Sequence, residues 1–419
     1  MRVWAARSAI ALITAAALAA CGTNPEPAPS PSPSPSPSSV GQPPAGLASA
    51  PLHVPAELAQ APLDEPRQAL IPAGWTIEVI ARVPKARMAA FAPDGALLVS
   101  VPATGQVLTV RPDQRTLLDG LEQPHGLFFA GTTLYVAESN RIDAYDYVDG
   151  RAVNHRTIAG DLPDAKSPEL RGAYSHALKS VVVGSDGAVY FSIGSTGNTS
   201  AEDRTATPPR ATIMRVPPGG GPAAPFATGV RNGTGLALAP DGTLWTAVNN
   251  RDNVPDPQGR VRQDYVDDHP PESVAKVTPG RELGWPYCNP DGAPPAGFIR
   301  DMETNADGDK MDCAALAPVE QTMGAHSAPL GMSFTELPGY GSGALVGVHG
   351  SWNRQSPQAP EVSFFGWHNG TLGPQQTLVS GFQADDGTRW GRPVAAVAGP
   401  DGAVYITDDY AGAVYRLAP

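Results

Sequence analysis

A polar turn followed by a short apolar strand recurs along the chain. Residues 92–100 read A-P-D-G-A-L-L-V-S, 184–192 read G-S-D-G-A-V-Y-F-S, 239–247 read A-P-D-G-T-L-W-T-A and 399–407 read G-P-D-G-A-V-Y-I-T. Weaker copies begin at Ala130 (A-G-T-T-L-Y-V-A) and Gly341 (G-S-G-A-L-V-G-V). In each full copy an Asp-Gly pair supplies the positive φ of a hairpin turn. The β-branched, aromatic and small residues after it suit a half-buried sheet. Six such units, spaced very roughly 40–100 residues apart, predict an all-β fold: a six-bladed β-propeller of four-stranded antiparallel blades. Residues 75–83 alternate as W-T-I-E-V-I-A-R-V and predict a further strand, completing the last blade beside 403–407 and 413–417. No dozen residues hold a helical period without Pro or Gly, so helix is not expected. Residues 249–328 carry few strand signals and are expected to lie as loops over one face of the propeller.

Gly (45) and Pro (46) are abundant enough for many turns plus one unstructured segment. That segment is the Pro/Ser-rich run around residues 25–51, which has no apolar area to bury and reads as an extended tether. Before it, Arg2 and Arg7 precede an apolar stretch ending L-A-A-C-G, the form of a lipoprotein signal with Cys21 as the lipidated residue. The expected plan is a signal peptide at 1–20, a tether at 21–69 and a propeller at 70–419, exported and lipid-anchored at the cell membrane, facing the periplasm or exterior. A net charge of -12 argues against nucleic acid as a partner. In an exported protein Cys288 and Cys313 are expected to pair. Their bridge would close a loop of about 24 residues and stabilise by ~3–4 kcal/mol.

Common catalytic signatures are missing: there is no G-x-S-x-G, no phosphate loop ending G-K-[ST], no H-E-x-x-H and no G-x-G-x-x-G between strand and helix. N-A-D-G-D at 305–309 lacks the closing Glu of a calcium loop and reads as a surface turn. What stands out is a set of polar residues at the ends of the repeated strands. His125, His176, Arg231-Asn232, His326 and Arg392 precede strands, while Asn249-Asn250-Arg251-Asp252 and His349 follow them. Rotational repetition would turn these positions toward one axis.

The phrases Q-P-H-G-L (123–127), H-A-L-K (176–179), G-V-R-N-G-T-G-L-A (229–237), N-N-R-D-N (249–253), L-G-W-P-Y-C (283–288), H-S-A-P-L-G (326–331), H-G-S-W-N-R (349–354) and G-R-P-V (391–394) resemble, in this order, the glucose/sorbosone dehydrogenase family. The resemblance covers about residues 70–419. It implies a six-bladed propeller that binds pyrroloquinoline quinone (PQQ) and calcium and oxidises an aldose, sugar aldehyde or alcohol. It implies His176 as general base, Gln123, Arg231, Asn232 and Arg392 as cofactor contacts, and Asn249, Asn250 and Arg251 as a turn offering oxygens to calcium. Ser175 stands where some members carry an Asp beside the base. The electrons would pass to a membrane quinone or a cytochrome, since no C-x-x-C-H haem motif occurs in the chain. Two other readings stay open. One is a calcium-dependent lactonase using Asn198, Asn250 and Asp252; the other is a non-catalytic envelope binding module.

Overall fold

A computed structural model describes residues 46–170 and 172–419. They belong to a unit spanning Ser38–Pro419, while the other unit, Met1–Pro37, falls entirely outside the described residues. The expected signal peptide, Cys21 and the tether up to residue 45 therefore also lie outside them.

The innermost strands of the six blades are Ala89–Phe91, Leu127–Ala130, Val181–Val183, Gly235–Leu238, Pro329–Leu337 and Pro393–Ala398. Each packs against the next, and the sixth packs back on the first, closing a ring. Each begins an antiparallel four-stranded sheet, as the repeats predicted. The sixth blade is completed from the other end of the chain, because Thr76–Arg82 pairs antiparallel with Ala413–Ala418. Radial closure leaves each inner strand as a short edge covered by its neighbours around the axis, which limits the usual hazard of small antiparallel sheets.

The Asp-Gly turns share one device. Gly95, Gly187, Gly242 and Gly402 have φ between +76° and +83°. The preceding aspartate accepts the amide two residues on, as in Ala96 N to Asp94 Oδ1 (3.0 Å) and Thr243 N to Asp241 Oδ1 (2.9 Å). The aspartate thus satisfies a donor that the turn would otherwise leave unpaired. The second strands, Leu97–Val101, Leu244–Val248 and Val404–Asp408, are buried at every position. Sandwiched between neighbouring blades, they read as apolar runs rather than as alternation. Trp245 on one of them stands edge-on to Trp367 of the next blade, with centroids 6.0 Å apart.

Six hydrogen bonds link each blade to the next around the axis. Ser100 Oγ donates to His125 O, Gly126 N to Lys179 O, and Ser180 Oγ to Thr234 O. Thr234 Oγ1 donates to Pro329 O, Ser333 Oγ to Ala396 O, and Thr407 Oγ1 to Arg87 O. A cavity of about 50 Å³ lies between the inner strands. A Cβ on Gly126 would lie 2.7 Å from Ser180 Cα, so glycine is what lets these inner strands approach.

Two expectations are corrected. The fold begins before residue 70: Leu47–His53 pairs with Gln68–Pro72 and runs parallel to Thr76–Arg82, extending the sixth blade to six strands. Residues 249–328 are not only loops. Glu272–Val277 and Gln321–Met323 are the outer strands of the fourth blade, Arg281–Glu282 extends the third, and Cys288–Asp291 pairs with Gly297–Arg300 as a separate hairpin. The expected Cys288–Cys313 disulfide is present. Helix is confined, among the described residues, to one turn at Gln263–Val266 and short 3₁₀ segments. None of these is long and apolar enough to cross a membrane.

Candidate active site

Residues just before the first strand of a blade and just after the second meet at the same end of the ring, opposite the Asp-Gly turns. There they form two polar clusters.

The first cluster belongs to the third and fourth blades. His176 Nδ1 lies 3.0 Å from Ser195 O, so the proton sits on Nδ1 and Nε2 keeps its lone pair. Ser195 Oγ lies 2.9 Å from the same nitrogen and donates to Gly197 O. The carboxylate absent at Ser175 is thus replaced by a backbone carbonyl. Burial, and then the Arg231 charge, hold the imidazole down at about 3, so it is neutral at physiological pH. Only glycine fits at 194, where a Cβ would stand 2.6 Å from that of His176.

Arg231 is buried beside it and faces oxygen on every side. Nε and Nη2 donate to Asn198 O (3.3 Å) and Oδ1 (3.0 Å), and Nη1 to the carbonyls of Asn249 (3.3 Å) and Asn250 (2.7 Å). Asp252 Oδ2 completes the set at 3.5 Å. Asp252 also meets His326 Nδ1 at 3.2 Å, and His326 Nε2 donates to Val266 O at 2.7 Å. Burial lowers the His326 pKa, but the Asp252 hydrogen bond, the Glu272 charge and the Val266 carbonyl outweigh it and raise it overall. His326 holds the left-handed φ of +61°, which fixes its direction at a conformational cost. Glu272, wholly buried, is pushed up to about 7 by desolvation despite accepting the Asn250 amide.

The second cluster belongs to the first, second, fifth and sixth blades. Arg87 Nη1 pairs with Asp409 Oδ2 at 2.8 Å, and its Nη2 stands 3.5 Å from His125 Nε2. His125 Nδ1 donates to Lys179 O at 3.1 Å. Burial, then Arg87, hold His125 at about 3. His349 Nε2 meets Asp409 Oδ1 at 2.7 Å. Burial drives His349 down to about 4. Asp409 falls to about 2, since the His349 hydrogen bond and the surrounding charges overcome its own burial. Arg392 Nε donates to His349 O (2.8 Å), and its amide donates to Asp408, a carboxyl that burial raises to about 6.

His176 and Arg231 thus share one cluster, with Asn232 beside them across Gly194. Asn249 and Asn250 contribute carbonyls to it. Arg392 lies in the other cluster. Gln123 is exposed on a left-handed turn at φ +48° and joins neither. The Arg251 side chain turns away to Asp301 (2.7 Å) and Glu303 (2.8 Å), bracing the insert. Sequence reasoning missed Arg87, Asp409, Glu272 and Ser195. Arg87 precedes the first strand of its blade and Asp409 follows the second, the position that exposed the others.

Two groups expected from the resemblance can be tested against these residues. The second cluster suits an anionic ligand. Two guanidiniums face two carboxylates, of which burial raises Asp408, and Arg87 Nε is buried without a partner. The oxygens that would suit a calcium ion all close on Arg231 in this arrangement, so the guanidinium and a metal are alternatives there. No group of three or more His, Cys, Asp or Glu side chains placed for a metal occurs among the described residues.

The fold is shared with the PQQ domain of a Coprinopsis cinerea pyranose dehydrogenase in its holo form, at 19% identity over 84% of this chain and 97% of that chain, with a TM-score of 0.69. A calcium structure of a Trichoderma reesei carbohydrate-active enzyme of family AA12 aligns at 19% identity over 83% of this chain and 96% of that chain, with a TM-score of 0.66. The PQQ-bound aldose sugar dehydrogenase of Streptomyces coelicolor aligns at 15% identity over 83% and 99%, with a TM-score of 0.54. At such identities the likeness establishes the fold alone. An uncharacterized protein of Borreliella burgdorferi is 28% identical over 198 residues, 46% of this chain and 48% of that protein, so the chain spans about half the length of this curated relative. The profile described as TrAA12-like matches residues 69–419, every blade of the ring, and the chain belongs to that family.

Proposed function

We propose that the chain is an oxidoreductase that oxidises a sugar, as aldose, sugar aldehyde or sugar alcohol, with PQQ as its cofactor. The observation that carries this reading is the tautomer of His176: an imidazole locked by Ser195, neutral, with Nε2 free to accept a proton. PQQ, when bound, supplies an ortho-quinone that takes two electrons from the substrate carbon as hydride. Arg87 and Arg392 offer charge to the carboxylates of such an acid, with Arg87 Nε gaining the partner it lacks. Arg231, whose N–H groups are all engaged, would add a positive charge beside His176 rather than a hydrogen bond. His176 takes the hydroxyl proton on Nε2. An anion held against Arg231 would relieve the repulsion that depresses this imidazole and make it a stronger base. Calcium is assigned no step, because its oxygens are those that Arg231 holds. The same occupancy weakens the lactonase reading, whose candidates Asn198, Asn250 and Asp252 are spent on the guanidinium. Export, lipidation at Cys21 and transfer of electrons to a membrane quinone or a cytochrome complete the proposal.

The test is reconstitution with PQQ, with and without calcium, followed by dye-coupled oxidation across a sugar panel. The absorption spectrum should change on binding and again on adding a substrate. His176→Ala should lower kcat by ~10²-fold or more, the range of general base catalysis, while still binding the quinone. Absence of any bound quinone would remove the proposal.

A further inference from the structure

Outside the ring, the insert after the fourth blade's second strand forms a half-open cavity of about 600 Å³. Three pieces of chain build it: the segment around Pro255–Pro257 with Tyr265 and His269, the hairpin carrying Phe298 and Ile299, and the return through Met302 and Met311. The Cys288–Cys313 disulfide ties hairpin to return. Asp301 fastens the same pieces to the propeller, accepting from Arg251, Asn289 and the amides of Glu303 and Thr304. A cavity of this size, braced on several sides and lined mainly by apolar groups, has the character of a small-molecule site.

Its chemistry narrows the ligand. The floor of Phe298, Ile299, Met302 and Met311 offers few partners for the hydroxyls of a sugar. Thioethers and rings favour aromatic surfaces. Tyr265 and His269 stack in parallel, 3.9 Å between centroids and 5° apart, giving one wall a flat face. At the rim, Asp291 and Asp312 disfavour anions, and Arg300 is engaged with Ala306 O at 3.0 Å. A neutral, flat, ring-containing molecule is what remains.

The cavity backs onto the candidate active site. Tyr265 lines it, and the next residue, Val266, holds His326 through its carbonyl. Arg300 lines it, and the next residue, Asp301, holds Arg251. At the first point the cavity adjoins a residue that holds the His326 side of the cluster; at the second it adjoins the ion pair that anchors the insert.

We propose that this cavity binds a neutral planar aromatic molecule of the quinone class, and that this molecule is the electron acceptor of the enzyme. The second half rests on the oxidoreductase reading above. For each sugar carbon oxidised, the reduced enzyme gives up two electrons and two protons, and the quinone leaves as hydroquinone. A recess of this size admits a small molecule and not a folded protein.

The binding half is tested on the full chain without cofactor. Calorimetry with 1,4-naphthoquinone should give one saturable site, and photolabelling with 2-azido-1,4-naphthoquinone should mark residues 298–314. Ile299→Glu should weaken binding at least tenfold. Ala314→Arg, at an exposed position on the rim, should do the same without touching the floor. In the PQQ-loaded enzyme both variants should raise the KM for naphthoquinone about tenfold and leave the acceptor-free, single-turnover reaction with sugar unchanged. Absence of saturable binding, labelling elsewhere, or unchanged affinity in both variants overturns the site. Intact binding with unchanged acceptor KM overturns its role as acceptor site. Failure of sugar oxidation strikes the oxidoreductase reading instead, with binding still read directly.

Discussion

Arg231 is a cation that has been given a cation's coordination: four carbonyl-type oxygens and a carboxylate. Those oxygens would suit calcium equally well, so metal entry requires the guanidinium to leave. Terbium, a luminescent stand-in for calcium, can report this, because Trp285 Nε1 donates to Asn198 O at 3.0 Å and the indole lies against the cradle. Cofactor-free Arg231→Met should show at least tenfold more Trp-sensitised terbium emission than the unaltered chain. Equal emission from both would mean that Arg231 does not hold the site. His125 yields a second prediction. Its folded pKa of about 3 lies below the unfolded value near 6.5, so the folded chain binds fewer protons there and stability falls as pH drops below about 6.5. A wholly buried imidazole of this kind contributes a loss of about 1–2 kcal/mol between pH 7 and 5. Thermal melts of His125→Asn should therefore show a flatter pH dependence over that range; a slope equal to that of the unaltered chain would refute the assignment. His176, Arg231 and Arg392 were legible in sequence because each stands beside a recognisable strand start. Arg87 occupies the same place, but its inner strand reads A-A-F where the one after His176 reads V-V-V, so it signals weakly. The Arg231 cradle is built largely from main-chain oxygens, which leave no side-chain pattern to read.

At the scale of elements, the Asp-Gly turn carried most of the information. It requires positive φ and an acceptor for the next free amide, and few residue pairs supply both. The insert was harder to read. Glu272–Val277 completes its blade only after a long excursion, and its partner Gln321–Met323 is three residues long, so neither strand declares itself locally. The hairpin Cys288–Asp291 and Gly297–Arg300 is isolated from every other sheet and depends on its bridge. Two-stranded hairpins are marginal alone. Replacing both Cys288 and Cys313 by Ser should cost roughly 3 kcal/mol. Hydrogen exchange should then quicken across 288–314 while Leu244–Val248 stays protected. Uniform loss of protection would show instead that the insert and the blades open as one unit.

The whole molecule is a cycle in two senses. Inter-blade hydrogen bonds run around the axis without a gap, and an early and a late strand of the described fold share a sheet, with Ala418 opposite Thr76. Blade-to-blade contacts of this sort couple each sheet to two neighbours, so loss of one is felt on both sides. The polar groups of both clusters sit at one rim of this cycle, and the Asp-Gly turns at the other. Because neighbours in space here need not be neighbours in sequence, where the polypeptide starts is a matter of convenience to the architecture. A circular permutant joining Pro419 to Gly46 through a linker, so that the two added strands of the sixth blade are kept, and opened between Asp241 and Gly242, should assemble the same ring. Its new ends would emerge on the side away from His176, leaving the rim that carries both clusters clear of whatever is fused to them.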